Sequence, residues 1–176
     1  MMNDVTRIGI ASIVLVLGTQ AGGDTLESTF DNDLEGWTTP TPDTITHTET
    51  DGNGYLLVLE SAAGMFSISA PNTFDGNLNA YNGGMLTFDV ALFPSSALEP
   101  CLAPFGTVMI HGGGTFVVND IADTCAPEDA WRRCAVPRTA DAWGLGEIAW
   151  FDVISDVNAR AIIRGGPPAT AQSGGD

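Results

Sequence analysis

Residues 85–93, MLTFDVALF, alternate with a period of two: Leu86, Phe88, Val90 and Leu92 fall on one side, Thr87 and Asp89 on the other. Successive side chains of a strand point to opposite faces, so this pattern predicts a β-strand with one face in a core. That face must be covered by a second layer of structure. The other apolar runs are short and closed by turn chemistry. Residues 54–60 (GYLLVLE) follow Asp51-Gly52-Asn53-Gly54, and residues 65–70 stop at Pro71. Residues 107–110 and 115–118 flank His111-Gly112-Gly113-Gly114, a glycine-rich hairpin turn. Residues 131–136 and 159–164 read as further strands, and residues 145–155 as one short helix. The long helical periods that parallel crossovers require are missing. The predicted class is all-β, a sandwich of short strands.

Of the 176 residues 44% are hydrophobic and 16% charged, enough for one cored domain and unlike a disordered tail. The formal charge is −16: 22 acids stand against six arginines, and lysine is absent. Such a surface repels phosphate backbones and anionic headgroups, which argues against nucleic acid as a partner. Cations and cationic partners stay open.

The first 21 residues have the layout of an export signal. Arg7 precedes an uncharged stretch, residues 8–18 (IGIASIVLVLG), and Thr19 and Ala21 place small residues before a cut at Gly22. The stretch is short for a bilayer span, and the alternative is a buried strand. No second long apolar run follows, so the expected product is secreted, without membrane insertion once the signal is removed. The expected organisation is a signal at 1–21, a β-sandwich at 22–166 and a flexible tail at 167–176. Cys101, Cys125 and Cys134 would then meet an oxidising compartment. Cys125 and Cys134 flank a short loop and are the expected disulfide, which leaves Cys101 over. No CxxC spacing occurs and the two histidines are far apart, so zinc is not expected.

Three stretches, in order, resemble the laminin B domain, also called laminin IV type A. They are FDNDLEGW (30–37), SAPNTFDGNLNAYNGGMLTFDV (69–90) and DVNARAIIRG (156–165). The middle stretch departs from the family pattern in carrying Ala80 where a serine usually precedes the tyrosine. The resemblance implies a jelly-roll sandwich similar to galactose-binding and carbohydrate-binding modules. It implies a non-catalytic role outside the cell, in adhesion or in recognition of a glycan or protein. A structural accessory domain of a larger secreted or cell-surface protein is the alternative role. The family pattern continues past its IRG strand into a final strand; the tail GGPPATAQSGGD offers no apolar alternation to supply one.

Trp131 and Trp143 lie in polar, loop-like sequence and are the candidate ligand-binding aromatics, together with Tyr81 ahead of Gly83-Gly84. Asp31 and Asp33, and Asp51 and Asn53, are short oxygen-rich clusters that suit a structural calcium, the one cofactor considered; turn capping is the competing role. Neither cluster has the spacing of an EF-hand loop. His111-Gly112-Gly113-Gly114 matches an esterase oxyanion motif, but no GxSxG nucleophile elbow accompanies it. Glu60, Glu99 and Glu147 sit in no glycosidase pattern, so a hydrolase is a distant third reading and no catalytic residue is expected.

Overall fold

A computed structural model describes residues 7–16, 25–39, 44–59, 66–92, 105–121, 124–125 and 130–165. Ten strands and one helix are formed: β1 (Arg7–Val16), β2 (Thr25–Ser28), β3 (Thr44–Thr50), β4 (Asn53–Leu59), β5 (Phe66–Ile68), β6 (Met85–Leu92), β7 (Phe105–Gly112), β8 (Thr115–Asp120), β9 (Arg132–Pro137), α1 (Glu147–Ser155) and β10 (Val157–Gly165). The class is the expected one, all-β with one short helix. The larger sheet has the order β3-β4-β1-β6-β9, with β2 also on β1; the smaller is β5-β10-β7-β8. All the strand pairings are antiparallel.

The alternation of residues 85–93 is realised as β6. Leu86, Phe88 and Val90 are buried, and they pack with Leu56 and Val58 of β4, Val136 of β9, and Ile68, Val108, Ile110 and Val117 of the facing sheet. The hairpin at 111–114 forms as expected: Gly113 and Gly114 have φ of 56° and 73°, which glycine adopts at little cost. A side chain on Gly112 would overlap the backbone carbonyl of Val153, so the hairpin can lie directly on α1.

The helix buries Trp150, Val153 and Ile154 and leaves Ile148 and Phe151 exposed. The Trp150 indole N–H donates to Asn82 Oδ1 at 2.7 Å, which ties α1 to the loop before β6. Strand β3 was not foreseen. Its sequence, TITHTET, is rich in threonine and carries a single aliphatic residue, and it forms by zipping onto β4 from Thr44↔Leu59 to Thr50↔Asn53. Residues 8–18, read above as an export signal, contain most of β1. The C-terminal tail (167–176) and Cys101 lie outside the described residues.

One buried charge stands out. Arg138, just after β9, is 1% exposed, and neither of its Nη atoms finds a hydrogen-bond partner among the described residues. Its backbone extends the ladder: Gly83 N–H donates to its carbonyl at 2.8 Å, and its own N–H donates to Gly84 O at 3.0 Å. Gly83 has φ 76°, so glycine is needed here for its conformation. The guanidinium lies 5.9 Å from the Tyr81 ring centroid. Desolvation lowers its pKa to about 10.

Two outcomes are expected. Phe88→Ala should cost about 3–5 kcal/mol in denaturant unfolding, through lost burial plus a cavity; a cost under about 1 kcal/mol would be inconsistent with an interior Phe88. Arg138→Met should raise stability. A folded-state pKa below that of an exposed arginine means the fold disfavours the charged form at all pH values below about 10. An apolar chain of similar length removes that penalty, with an expected gain of about 1–3 kcal/mol. A lowered thermal midpoint would show that the guanidinium is satisfied in the fold.

Candidate functional site: a cleft on the larger sheet

The first wall is the loop after β2. Phe30 is fully buried yet has φ 58°, and Glu35 has φ 48°. Non-glycine residues hold such angles only when the surroundings enforce them. Here Glu35 Oε1 accepts the backbone N–H groups of Phe30 (2.7 Å) and Thr29 (3.2 Å). Asp33 Oδ1 accepts the N–H of Glu35 at 2.6 Å, and Asp31 Oδ2 accepts the Thr29 hydroxyl at 2.8 Å. Trp37 anchors the loop from below: it is buried, meets Phe30 edge-on at 6.1 Å, and donates its indole N–H to Ser28 Oγ at 3.0 Å.

The second wall is the β3–β4 hairpin. Asp51 and Gly52 have φ of 54° and 79°, the two positive values of a turn whose twist matches its strands. The two walls lock together. His47 Nε2 donates to Phe30 O at 2.7 Å, and a side chain on Gly54 would overlap that same carbonyl.

The third wall is the segment ahead of β9. Cys125 and Cys134 lie at disulfide distance, with Cα atoms 5.5 Å apart, and close a loop over a sequence separation of 9. That loop carries Trp131, which is 44% exposed. Its ring meets Tyr55 of β4 edge-on, centroids 5.5 Å apart. Between β4 and β9 lie β1 and β6, three inter-strand steps or about 14 Å in all, so the two rings reach toward each other across the sheet. Arg133 Nε and Nη2 donate to the two carboxylate oxygens of Asp89 on β6, at 3.0 and 2.8 Å, and brace β9 alongside. Arg133 is raised in pKa by this pairing.

These walls enclose an open cleft of about 530 Å³, bordered by Asp31, Asp51, Asn53, Tyr55, Asp89 and Trp131. Of the residues singled out in the sequence, Trp131, Asp31, Asp51 and Asn53 therefore converge on one place. Asp33 does not border the cleft; it caps the loop.

Trp143 is a correction: it is buried at 5% exposure, stacked on Trp150 at 5.7 Å, with its indole N–H donating to Pro137 O. The polar residues around it belong to a short 3-10 turn, Asp141–Trp143, that folds the ring inward. Tyr81 lies away from this cleft. It is half-buried against the core, borders no part of the cleft, and has Arg138 beside its ring.

Tyr55 and Asp89 were missed. Each occupies an outward position between buried neighbours, Gly54 and Leu56 or Phe88 and Val90; alternation gives that face for Asp89, whereas the unbroken apolar run around Tyr55 carries no such signal. Among the described residues, no group of three or more His, Cys, Asp or Glu side chains is placed to hold a metal ion. Glu60 and Glu99 lie outside the described residues, and Glu147 sits exposed in the first turn of α1. No helix among the described residues is long and apolar enough to cross a membrane. Compared with family models, curated proteins and solved structures, the chain matches none.

Cys125→Ala/Cys134→Ala should lower stability by about 2–3 kcal/mol, the loop-closure value for so short a ring. It should also free the Trp131 loop, raising acrylamide quenching of its fluorescence in a background where the other tryptophans stay buried. Unchanged quenching would mean that the disulfide does not hold Trp131 in place.

Proposed function

We propose that this chain is a secreted, non-catalytic binding module of laminin-B type whose cleft takes a neutral glycan. The observation that carries the reading is Trp131, held half out of the surface by a disulfide-closed loop and set against Tyr55 over a carboxylate-lined cleft. A sugar ring offers apolar C–H faces and a rim of hydroxyls. The exposed indole suits the faces, and Asp31, Asp51 and Asn53 suit the rim. The cleft volume lies in the ordinary range for small-ligand sites.

Net charge narrows the ligand further. With −16 on the chain and aspartates on both rims, sulfated glycans and uronates meet repulsion, whereas neutral sugars do not. The bidentate Arg133 pair supports a binding role for Asp89, since both its oxygens already accept hydrogen bonds and it is poorly placed to deliver a proton. The positive φ of the buried Phe30 lies between the bordering residues Thr29 and Asp31, where strain often accompanies function.

Calorimetric titration of neutral and sulfated oligosaccharides, with calcium and with a chelator, tests the reading. Neutral glycans should bind, sulfated ones should bind more weakly, and Trp131→Ala should weaken binding about tenfold or more, the loss of a stacking contact of roughly 1–2 kcal/mol. Equal affinity in Trp131→Ala, or no binding by any neutral glycan, would favour the accessory structural role.

A further inference from the structure

The charges around the cleft are unbalanced. Its border carries Asp31, Asp51 and Asp89 and, among the described residues, no basic side chain. Asp89 is neutralised where it stands by its bidentate pair with Arg133. Asp31 and Asp51 are exposed and form no salt bridge among the described residues. We propose that the cleft prefers a glycan bearing a free, protonated amine, an amino sugar, over its neutral counterparts. The ammonium would face the Trp131–Tyr55 corner and the two uncompensated carboxylates. The proposal deepens the glycan reading of this cleft and rests on it.

The aromatic pair supplies the first half of the argument. The Trp131 and Tyr55 rings meet at 73° with centroids 5.5 Å apart, so they stand as two adjacent walls of a corner. The face of an aromatic ring attracts a cation held within about 6 Å of its centroid, and indole does so most strongly. Trp131 is 44% exposed, so part of its surface is open to a ligand. A ring face also suits the apolar C–H face of a pyranose, and an amino sugar presents both features on one small ring.

The acids supply the second half, and they sort the cations by kind. A primary ammonium has three N–H donors and no acceptor, which carboxylates satisfy directly. Asp31 uses Oδ2 to accept the Thr29 hydroxyl, and Asp51 stands exposed on the turn opposite. A quaternary ammonium has no N–H to give these oxygens and needs aromatic walls on more sides than two. A divalent metal ion needs several oxygens converging on one point, and among the described residues no group of three or more His, Cys, Asp or Glu side chains does so. What remains is a singly charged organic cation with an apolar body. The field that repels sulfate and uronate attracts it, and the chain's net charge of −16 adds in the same direction.

The test is calorimetric titration of the full chain with two β-1,4-linked trisaccharides. One is built of N-acetylglucosamine; the other is the same molecule with a single acetyl group removed, so that it carries one ammonium. At low salt the amine-bearing trisaccharide should bind about three- to thirtyfold more tightly, the effect of one exposed ion pair and one exposed cation–π contact. Sodium chloride at about 0.5 M should remove most of that advantage. Asp51→Asn keeps the turn, since asparagine also tolerates the φ of 54° held there. It should cut the ratio of the two affinities by about two- to fivefold. Glu147→Gln with Asp152→Asn removes charge from the exposed face of α1, away from the cleft, and should leave that ratio unchanged. The proposal is overturned if the two trisaccharides bind equally, if Asp51→Asn preserves the whole ratio, or if the α1 variant lowers it as much. It is also overturned if N-acetyl-lysine amide displaces the amine-bearing trisaccharide at equal concentration, because the pyranose then contributes nothing. Neutral glycans that bind with no advantage to the amine would remove this inference alone, whereas no binding by any glycan would remove the glycan reading with it.

Discussion

The larger sheet depends on the two hydrogen-bond ladders that flank β1. Strands β3 and β4 form one antiparallel ribbon, β6 and β9 another, and among the described strand pairings β1 alone joins them. The cleft inherits this dependence. Tyr55 and the Asp51 turn belong to the first ribbon; Asp89 and, through β9, Trp131 belong to the second. Rings on opposite ribbons meet at 5.5 Å only while a strand holds those ribbons at a fixed spacing. A binding surface assembled across such a seam is set by sheet completion as much as by its own side chains.

The anchoring of the cleft is otherwise local and redundant. Glu35 and Asp33 hold the first loop through backbone N–H groups, the Phe30 carbonyl meets both His47 and Gly54, and the Cys125–Cys134 ring restrains Trp131. Several of the acids in this strongly acidic chain therefore serve as hydrogen-bond acceptors within turns, the role in which Asp and Glu are cheapest to hold near backbone. Asp31 and Asp51 both do local work and border the cleft, which is why short acidic clusters in the sequence were hard to assign to one role.

Strand β6 was legible because period-two alternation is a direct image of one-sided burial, and β4 and the β7–β8 hairpin were legible as short apolar runs closed by turn residues. Strand β3 was not, since its threonines carry no core signal and its position is fixed by the ladder to β4. Of the cleft, Trp131 and the Asp31, Asp51 and Asn53 positions were found from exposure-prone chemistry, while Tyr55 and Asp89 were lost inside strands. Trp143 misled for a physical reason. A polar neighbourhood marks backbone near solvent, yet the left-handed Gly144 (φ 67°) closes a turn that carries the large ring back into the core, where Trp150 and the Pro137 carbonyl receive it.

The ambiguity of residues 8–18 has the same kind of origin. A signal's apolar core and a buried central strand ask for identical composition: about ten uncharged residues, rich in isoleucine, leucine and valine. Such a run is too short to span a bilayer as a helix but suits a strand crossing a domain. Periodicity cannot separate the two, because the phase slip between Ile10 and Ser12 hides the alternation that would have exposed the strand. What distinguishes the fates is context. In a translocating chain the segment is met by an apolar channel and a peptidase before β4 and β6 exist; in a chain that stays whole, those strands form later in sequence and return to claim it. The segment's role is therefore decided by the order of events.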